Sequence, residues 1–272
     1  NFEYGRWHGD NHGTVILDGN EWQGDNIGTV TFNKGEWTGT NSGEATIVNG
    51  TWNGDNSGTV SFNGGSWTGD NTENGTVTVN ATGWTGNNTG DAILEGGTWN
   101  GTNSGIVTLN NGTWSGNNSD AGSVTLNGGE WTGDNTGESA TVSGKNGKWT
   151  GDNSGTITVN GITWEGNNLE GATLSSGIWT GANSGTAIIE GGTWSNDNAG
   201  TVTFNGGSWN GNNAANGEVT IEADGWSGNN AGTVTLNKGT WDGTNSGIVD
   251  MYNGTWGGNN SDIGIVTLNG GI

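Results

Sequence analysis

Apolar and polar positions alternate in short bursts along this chain, and the bursts recur. In GTVTFNKGEWTGTN (28–41), Val30 and Phe32 alternate with Thr29 and Thr31, and Trp37 follows a polar Asn-Lys-Gly link. The echo at 200–213 reads GTVTFNGGSWNGNN. Period-two alternation of β-branched and aromatic residues predicts a strand over each TVTF-like segment. A second, shorter strand is predicted around each Trp, as in GEWTG. The Asn-Gly-Gly, Asn-Lys-Gly and Asn-Asn-Gly links between them, and relatives of Gly-Asp-Asn-Ser-Gly after the Trp, hold residues that tolerate positive φ. Both links read as turns.

The pattern is a counted repeat. Seventeen Trp recur every fifteen residues, except for spacings of 17 or 18 after Trp67, Trp114, Trp131 and Trp209. With Trp as position 0, Asn stands at position 4 in every unit, and Gly at position 2 in all but one, where Asn196 replaces it. Fixed self-similarity of this kind marks a repeat architecture. The extra residues fall in or beside the turns, for instance Thr72-Glu73-Asn74 and Ser119-Asp120-Ala121, where added length is tolerated. A longer period of 142 residues lies above the first: GTNSGIV at 101–107 returns at 243–249, and VTLNGG at 124–129 returns at 266–271. The chain reads as a nine-unit module, 1–148, and an incomplete second copy, 149–272, forming one continuous elongated repeat domain. It begins at Asn1 without an initiator Met and stops one residue before the next Trp is due, so it is expected to be a mature product or an excerpt of a longer array.

Two all-β architectures fit. In a β-solenoid each unit is one coil and Trp stacks on Trp. In an antiparallel meander each unit is a hairpin. A fifteen-residue coil has sides of about five residues, roughly 16 Å each before rounding. Its lumen would have to hold Trp, Val, Phe or Leu, and Asn together, and overpacking is costly. With Gly206-Gly207 as a two-residue turn, a hairpin places Phe204 opposite Trp209 and keeps the large apolar groups on one face. The meander is the expected fold, and the solenoid is the alternative. The motif order of aromatic-x-Gly, Gly-x-apolar-x-apolar and Asn-Gly, carried here by Trp37-Thr38-Gly39 and Gly58-Thr59-Val60-Ser61-Phe62, resembles the MORN hairpin repeat. That resemblance implies a meander. These units are shorter, lack the basic residues of that family and carry Trp where it usually has Tyr.

Composition narrows the function. Of 272 residues 59 are Gly, none is Pro or Cys, and 28% are hydrophobic without Gly, so the chain reaches the usual apolar share of about 45–50% only through its Gly. Disorder would follow from such values together with a net charge of −22, were it not for the aromatic content and the strict period. With 27 acidic residues against five basic ones, nucleic acid and anionic membrane surfaces are unsuitable partners. No apolar run reaches the roughly 20 residues that span a bilayer.

The candidate residues form two rows. Trp22, Trp37, Trp52, Trp67, Trp164, Trp179, Trp194 and Trp209 are expected to form a structural ladder, with a carbohydrate platform as the competing reading. Asn26, Asn41, Asn56, Asn71, Asn168, Asn183, Asn198 and Asn213 are expected to form a turn ladder that satisfies local backbone groups. The pairs Thr29/Thr31, Thr76/Thr78, Thr156/Thr158, Thr201/Thr203 and Thr233/Thr235 resemble the ranks of ice-binding solenoids, although Glu44, Asp91, Glu218 and Asp250 fall on or near the same rows. Loop acids Asp10, Asp25, Asp55, Asp70, Asp134 and Asp152 offer hard oxygen ligands for Ca²⁺, but the position alternates with Asn, Thr and Ala as solvated turns would. His8 and His12 occur in one unit only, and Arg6, Lys34, Lys145, Lys148 and Lys238 are scattered, so no enzyme is expected and no cofactor is implied. Nine Asn-x-Ser/Thr sequons accord with the composition. The absence of Pro and the scarcity of Lys leave sheet edges unprotected, and duplication suits head-to-tail growth. The expectation is an extracellular or cell-surface structural protein that self-associates into a filament, sheath or surface layer. A carbohydrate-binding adhesin is the alternative, and an ice-binding protein comes third.

Overall fold

The computed structural model describes residues 5–120 and 122–272, so Ala121 of the second insertion lies outside them. The chain divides into two compact units, Asn1–Gly133 and Asp134–Ile272. The division follows Trp131 and falls in the same interval between Trp131 and Trp149 as the boundary at 148/149 read from the long period.

Each unit is all-β, and every strand pairing within it is parallel. In the first, Thr59–Phe62 lies between Glu44–Ile47 and Thr76–Val79, with Val60 opposite Ala45 on one side and Val77 on the other. The short strand Thr51–Trp52 lies between Glu36–Trp37 and Ser66–Trp67, Trp against Trp. In the second unit, Thr201–Phe204 lies between Thr186–Ile189 and Glu218–Ile221 in the same manner. Strands one repeat apart therefore stack in register, and each repeat is one coil of a β-solenoid. The antiparallel hairpin meander expected from the sequence, and with it the topology implied by the MORN resemblance, is incorrect.

The crowding that argued against a solenoid is resolved by layering. In the coil around Trp67, the side chains of Val60, Phe62, Trp67 and Asn71 all point inward and are fully buried. The indole lies as a plate within its own coil, tilted against the Phe of that coil: Phe62 and Trp67 ring centroids are 6.3 Å apart. Phe and Trp do meet, as the hairpin predicted, but across the lumen. Room for the plate comes from glycine at position 2. A Cβ on Gly54 would stand 1.8 Å from the Gly39 carbonyl oxygen and 2.9 Å from Trp52 Nε1. At the other corner Gly65 has φ +89°, and a Cβ there would lie 2.2 Å from Gly50 O. The Gly-rich links that read as hairpin turns are coil corners under the same backbone demands.

Parallel in-register stacking places identical residues in contact from coil to coil. Burial of a Phe-sized side chain contributes about 1.5–3 kcal/mol, and an aromatic neighbour about 0.5–1.5 kcal/mol more. These gains offset the entropy lost in ordering a Gly-rich backbone, coil by coil and through neighbours, as in other repeat proteins.

Candidate functional site

The ladders come first because they take up most of the chemistry in the chain. In the first unit the indoles of Trp7, Trp22, Trp37, Trp52, Trp67, Trp84, Trp99, Trp114 and Trp131 stack with centroids 4.6–5.1 Å apart and planes within 11°. In the second, Trp149, Trp164, Trp179, Trp194, Trp209, Trp226, Trp241 and Trp256 do the same at 4.6–5.2 Å. All except Trp7 and Trp256 are buried. From Trp22 onward the polar edges find partners in the preceding coil: Trp52 Nε1 donates to Gly39 O at 2.9 Å, and Trp179 Nε1 to Gly166 O at 3.0 Å. Where Asn196 replaces the glycine, its carbonyl still accepts from Trp209 Nε1 at 2.9 Å.

The Asn row is a second ladder in the same lumen. Asn26 Nδ2 donates to Asn41 Oδ1 at 2.7 Å, Asn41 to Asn56 at 2.8 Å and Asn56 to Asn71 at 2.7 Å. In the second unit the links Asn168–Asn183, Asn183–Asn198 and Asn198–Asn213 measure 2.7, 2.7 and 2.9 Å. The same amide nitrogen also bonds the turn backbone, as Asn26 Nδ2 does to Gly28 O and Glu44 O. Asn56 Oδ1 receives Gly58 N at 3.1 Å. A buried amide needs such saturation. The turn bonds foreseen from the sequence are present, together with a chain of side-chain bonds between coils.

The acidic positions have a backbone role that sequence reasoning missed. Asp10 Oδ1 accepts Asp25 N at 3.0 Å, Asp25 Oδ1 accepts Thr40 N at 2.8 Å, and Asp55, Asp70, Asp134 and Asp152 each accept the backbone N–H at the same place in the next coil. Asn serves equally well, as when Asn167 Oδ1 accepts Ala182 N. This explains the Asp/Asn alternation without a metal. Among the described residues no group of three or more His, Asp or Glu is arranged to hold a metal ion. His8 and His12 are exposed. Four cations pair with a carboxylate in an adjacent coil: Arg6 with Glu21, Lys34 with Asp18, Lys148 with Glu165 and Lys238 with Glu222.

Two of the shallow surface depressions border the Trp and Thr rows. One of about 210 Å³ is lined by Thr82, Thr85, Thr98, Asn100 and Ser115, with the edges of Trp84 and Trp99 at its floor. Each of those two indoles is only 1% exposed, so no flat aromatic face is offered to a sugar there. The other, about 390 Å³, is bordered by Glu138, Glu170, Thr136, Ser154 and Thr156, all exposed. No helix among the described residues is long and apolar enough to cross a membrane.

What is left outward is a two-row face on the longer strands, formed by positions 7 and 9 of the fifteen-residue repeats and by the residues in register with them in the longer ones. Thr31, Thr46, Ser61 and Thr78 continue one row in the first unit, where Glu44 and Asp91 interrupt the other. In the second unit five successive coils carry no charge on either row: Ser139/Thr141, Thr156/Thr158, Gly171/Thr173, Thr186/Ile188 and Thr201/Thr203. The charge begins again at Glu218. This stretch becomes visible only once the stacking register is known.

No protein-family model, no curated protein and no solved structure matches this chain.

Proposed function

We propose that the protein is an extracellular structural element, a stacked-coil scaffold that associates with copies of itself through its outward strand faces. One observation carries the reading. The indoles, buried amides and repeated loop carboxylates that might act on a ligand are already engaged in coil-to-coil contacts. The outward rows, by contrast, offer short hydroxyl side chains at a strand spacing of about 4.8 Å. In a chain of net charge −22, two copies approach with least repulsion where charge is sparse, and the two rows of the five coils from Ser139 to Thr203 carry none, with Glu138 and Glu170 at their border. The absence of Cys and the scarcity of Lys suit a surface exposed to oxidants and proteases.

Sedimentation velocity over a concentration series tests the proposal. Association that grows with concentration, and that Thr158→Lys with Thr203→Lys abolishes, is the expected result. A monomer at every concentration overturns it.

A second reading, ice binding, is favoured by the same uncharged threonine stretch, since the charges that argued against it lie on other coils. Thermal hysteresis that the two lysine variants remove, without any change in oligomeric state, would put it first. Carbohydrate adhesion through the Trp row loses its basis when fifteen of 17 indoles are buried.

A further inference from the structure

The Trp column has a property that a purely structural core does not require. In the first unit nine indoles lie face to face in unbroken succession from Trp7 to Trp131, with no other side chain between neighbours. Indole is among the most readily oxidised side chains, and cofacial rings in van der Waals contact exchange an electron vacancy readily. We infer that this column conducts oxidising equivalents along the coil axis, moving a one-electron vacancy from ring to ring.

Three features favour transport over trapping. Neighbouring sites are nearly equivalent: the buried rings lie in almost identical coils, so a vacancy finds little difference in energy between them. The proton of each buried radical cation has nowhere to go. Trp22, Trp37, Trp52, Trp67 and Trp99 each donate Nε1–H to a glycine carbonyl at 2.8–2.9 Å, and an amide oxygen is too weak a base to remove it. The carbonyl oxygens also place the negative end of a dipole against the Nε1 edge of each buried ring of this unit, which together with the acidic net charge stabilises a positive vacancy in a dry interior. Trp7 differs. It is half-buried, so there the radical cation can lose its Nε1 proton to water and the neutral radical can add dioxygen.

The electron count is simple. An external one-electron oxidant takes an electron from one ring and is reduced. The vacancy passes from ring to ring without net change. It ends at Trp7: the radical cation releases its Nε1 proton, the neutral radical adds dioxygen as a peroxyl radical, and superoxide, formed when dioxygen reoxidises the reduced oxidant, returns one electron that with a proton gives the indole hydroperoxide. The oxidants concerned are strong one-electron acceptors such as radicals formed in an aerobic surface environment. The inference does not depend on self-association.

The chain has no Cys, so Ser115→Cys provides a single attachment point beside Trp114 for a ruthenium polypyridyl photo-oxidant. After flash-quench oxidation in air, peptide mass spectrometry locates the oxygenated Trp. Oxidation concentrated at Trp7 is expected. Adding Trp52→Phe, or separately Trp37→Phe, places a ring too hard to oxidise between label and terminus. Since each 1.36 kcal/mol of added barrier slows a step tenfold, the yield at Trp7 should fall by about tenfold or more. Trp131→Phe lies beyond the label and should leave the Trp7 yield unchanged, which separates conduction from a general loss of packing. Circular dichroism reports whether each variant keeps its fold. Products confined to Trp99 and Trp114 in the labelled parent, or a Trp7 yield unaffected by either intervening Phe, would overturn the inference.

Discussion

Asn56 donates from Nδ2 to Oδ1 of Asn71 at 2.7 Å, and both amides are fully buried. Each is at once donor to the next coil and acceptor from the last, so removing one leaves two neighbours short. Asn168→Leu would leave Asn183 Oδ1 without its donor, while Asn153 Nδ2 would lose its link to the next coil at 2.8 Å but keep Gly155 O and Gly171 O. At about 1–3 kcal/mol for an unsatisfied buried group, that variant should lose roughly 1–3 kcal/mol. Hydrogen exchange should localise the loss to the coils on either side. Uniform protection across the unit would contradict the ladder's role.

Gly54 and Asn196 occupy the same repeat position with opposite tolerance. A Cβ on Gly54 meets the backbone of the preceding coil, so Gly54→Ala should cost about 3 kcal/mol or more, as overpacking against an unyielding neighbour does. Asn196 already carries a Cβ, and the adjoining bond from Asn183 N to Asp197 O has lengthened to 3.2 Å, against 2.8–3.0 Å for its counterparts in the same unit. Asn196→Ala should therefore cost only its two side-chain bonds, to Thr180 O and from Asp197 N, at about 0.5–1.5 kcal/mol each. Urea denaturation of the two variants side by side decides it. Equal losses would mean the relaxation is not real.

Indole burial makes an optical prediction. Emission should be blue-shifted and largely inaccessible to acrylamide, with quenching limited to the share contributed by Trp7 and Trp256. Glycans should leave the spectrum unchanged. Closely stacked identical chromophores should also give an exciton couplet in the circular dichroism, and Trp179→Phe should weaken it.

The ion pairs predict very little. Arg6, Lys34 and Lys238 are mostly exposed and pair across coils with exposed or half-buried carboxylates. Exposed pairs of this kind contribute about 0–1 kcal/mol. Alanine at any of the three should change stability by no more than about 0.5 kcal/mol, and a larger loss in thermal unfolding would reveal an unrecognised contact.

Self-association should respond to salt in one direction. Copies carrying a charge of −22 repel at low ionic strength, and the Debye length shrinks from about 30 Å at 0.01 M to about 3 Å at 1 M. Light scattering should then rise with added NaCl at fixed protein concentration. A fall would point to an interface held by ion pairs instead of hydroxyl rows.

The strands, their alternation and the positions of the Trp and Asn rows were legible in the sequence because each depends on local chemistry. The direction of pairing was not. Gly206-Gly207 serves as well at a coil corner as at a hairpin turn; Gly207 takes φ +86° in the solenoid, a conformation a hairpin would also have used. The volume argument failed because it treated the lumen as a tube to be filled, whereas each Trp lies flat in its own layer above a glycine. The signal that favours stacking was present: Asn11 to Asn260 never varies at position 4. A hairpin turn needs an Asn-like residue only loosely. An amide bonded to its own copy above and below needs that residue every time. The uncharged stretch from Ser139 to Thr203 could not be recognised before the register was known, because residues adjacent on that face are fifteen or more positions apart in the chain.

Because the Asn–Asn bonds described within each unit all run from one coil to the following one, each unit is vectorial, with a head and a tail as distinct as the poles of a magnet. A coil inserted backwards would set donor against donor. Lengthening by whole repeats keeps the sense intact wherever the addition is made. Gene duplication could thus extend such a column without redesigning any joint.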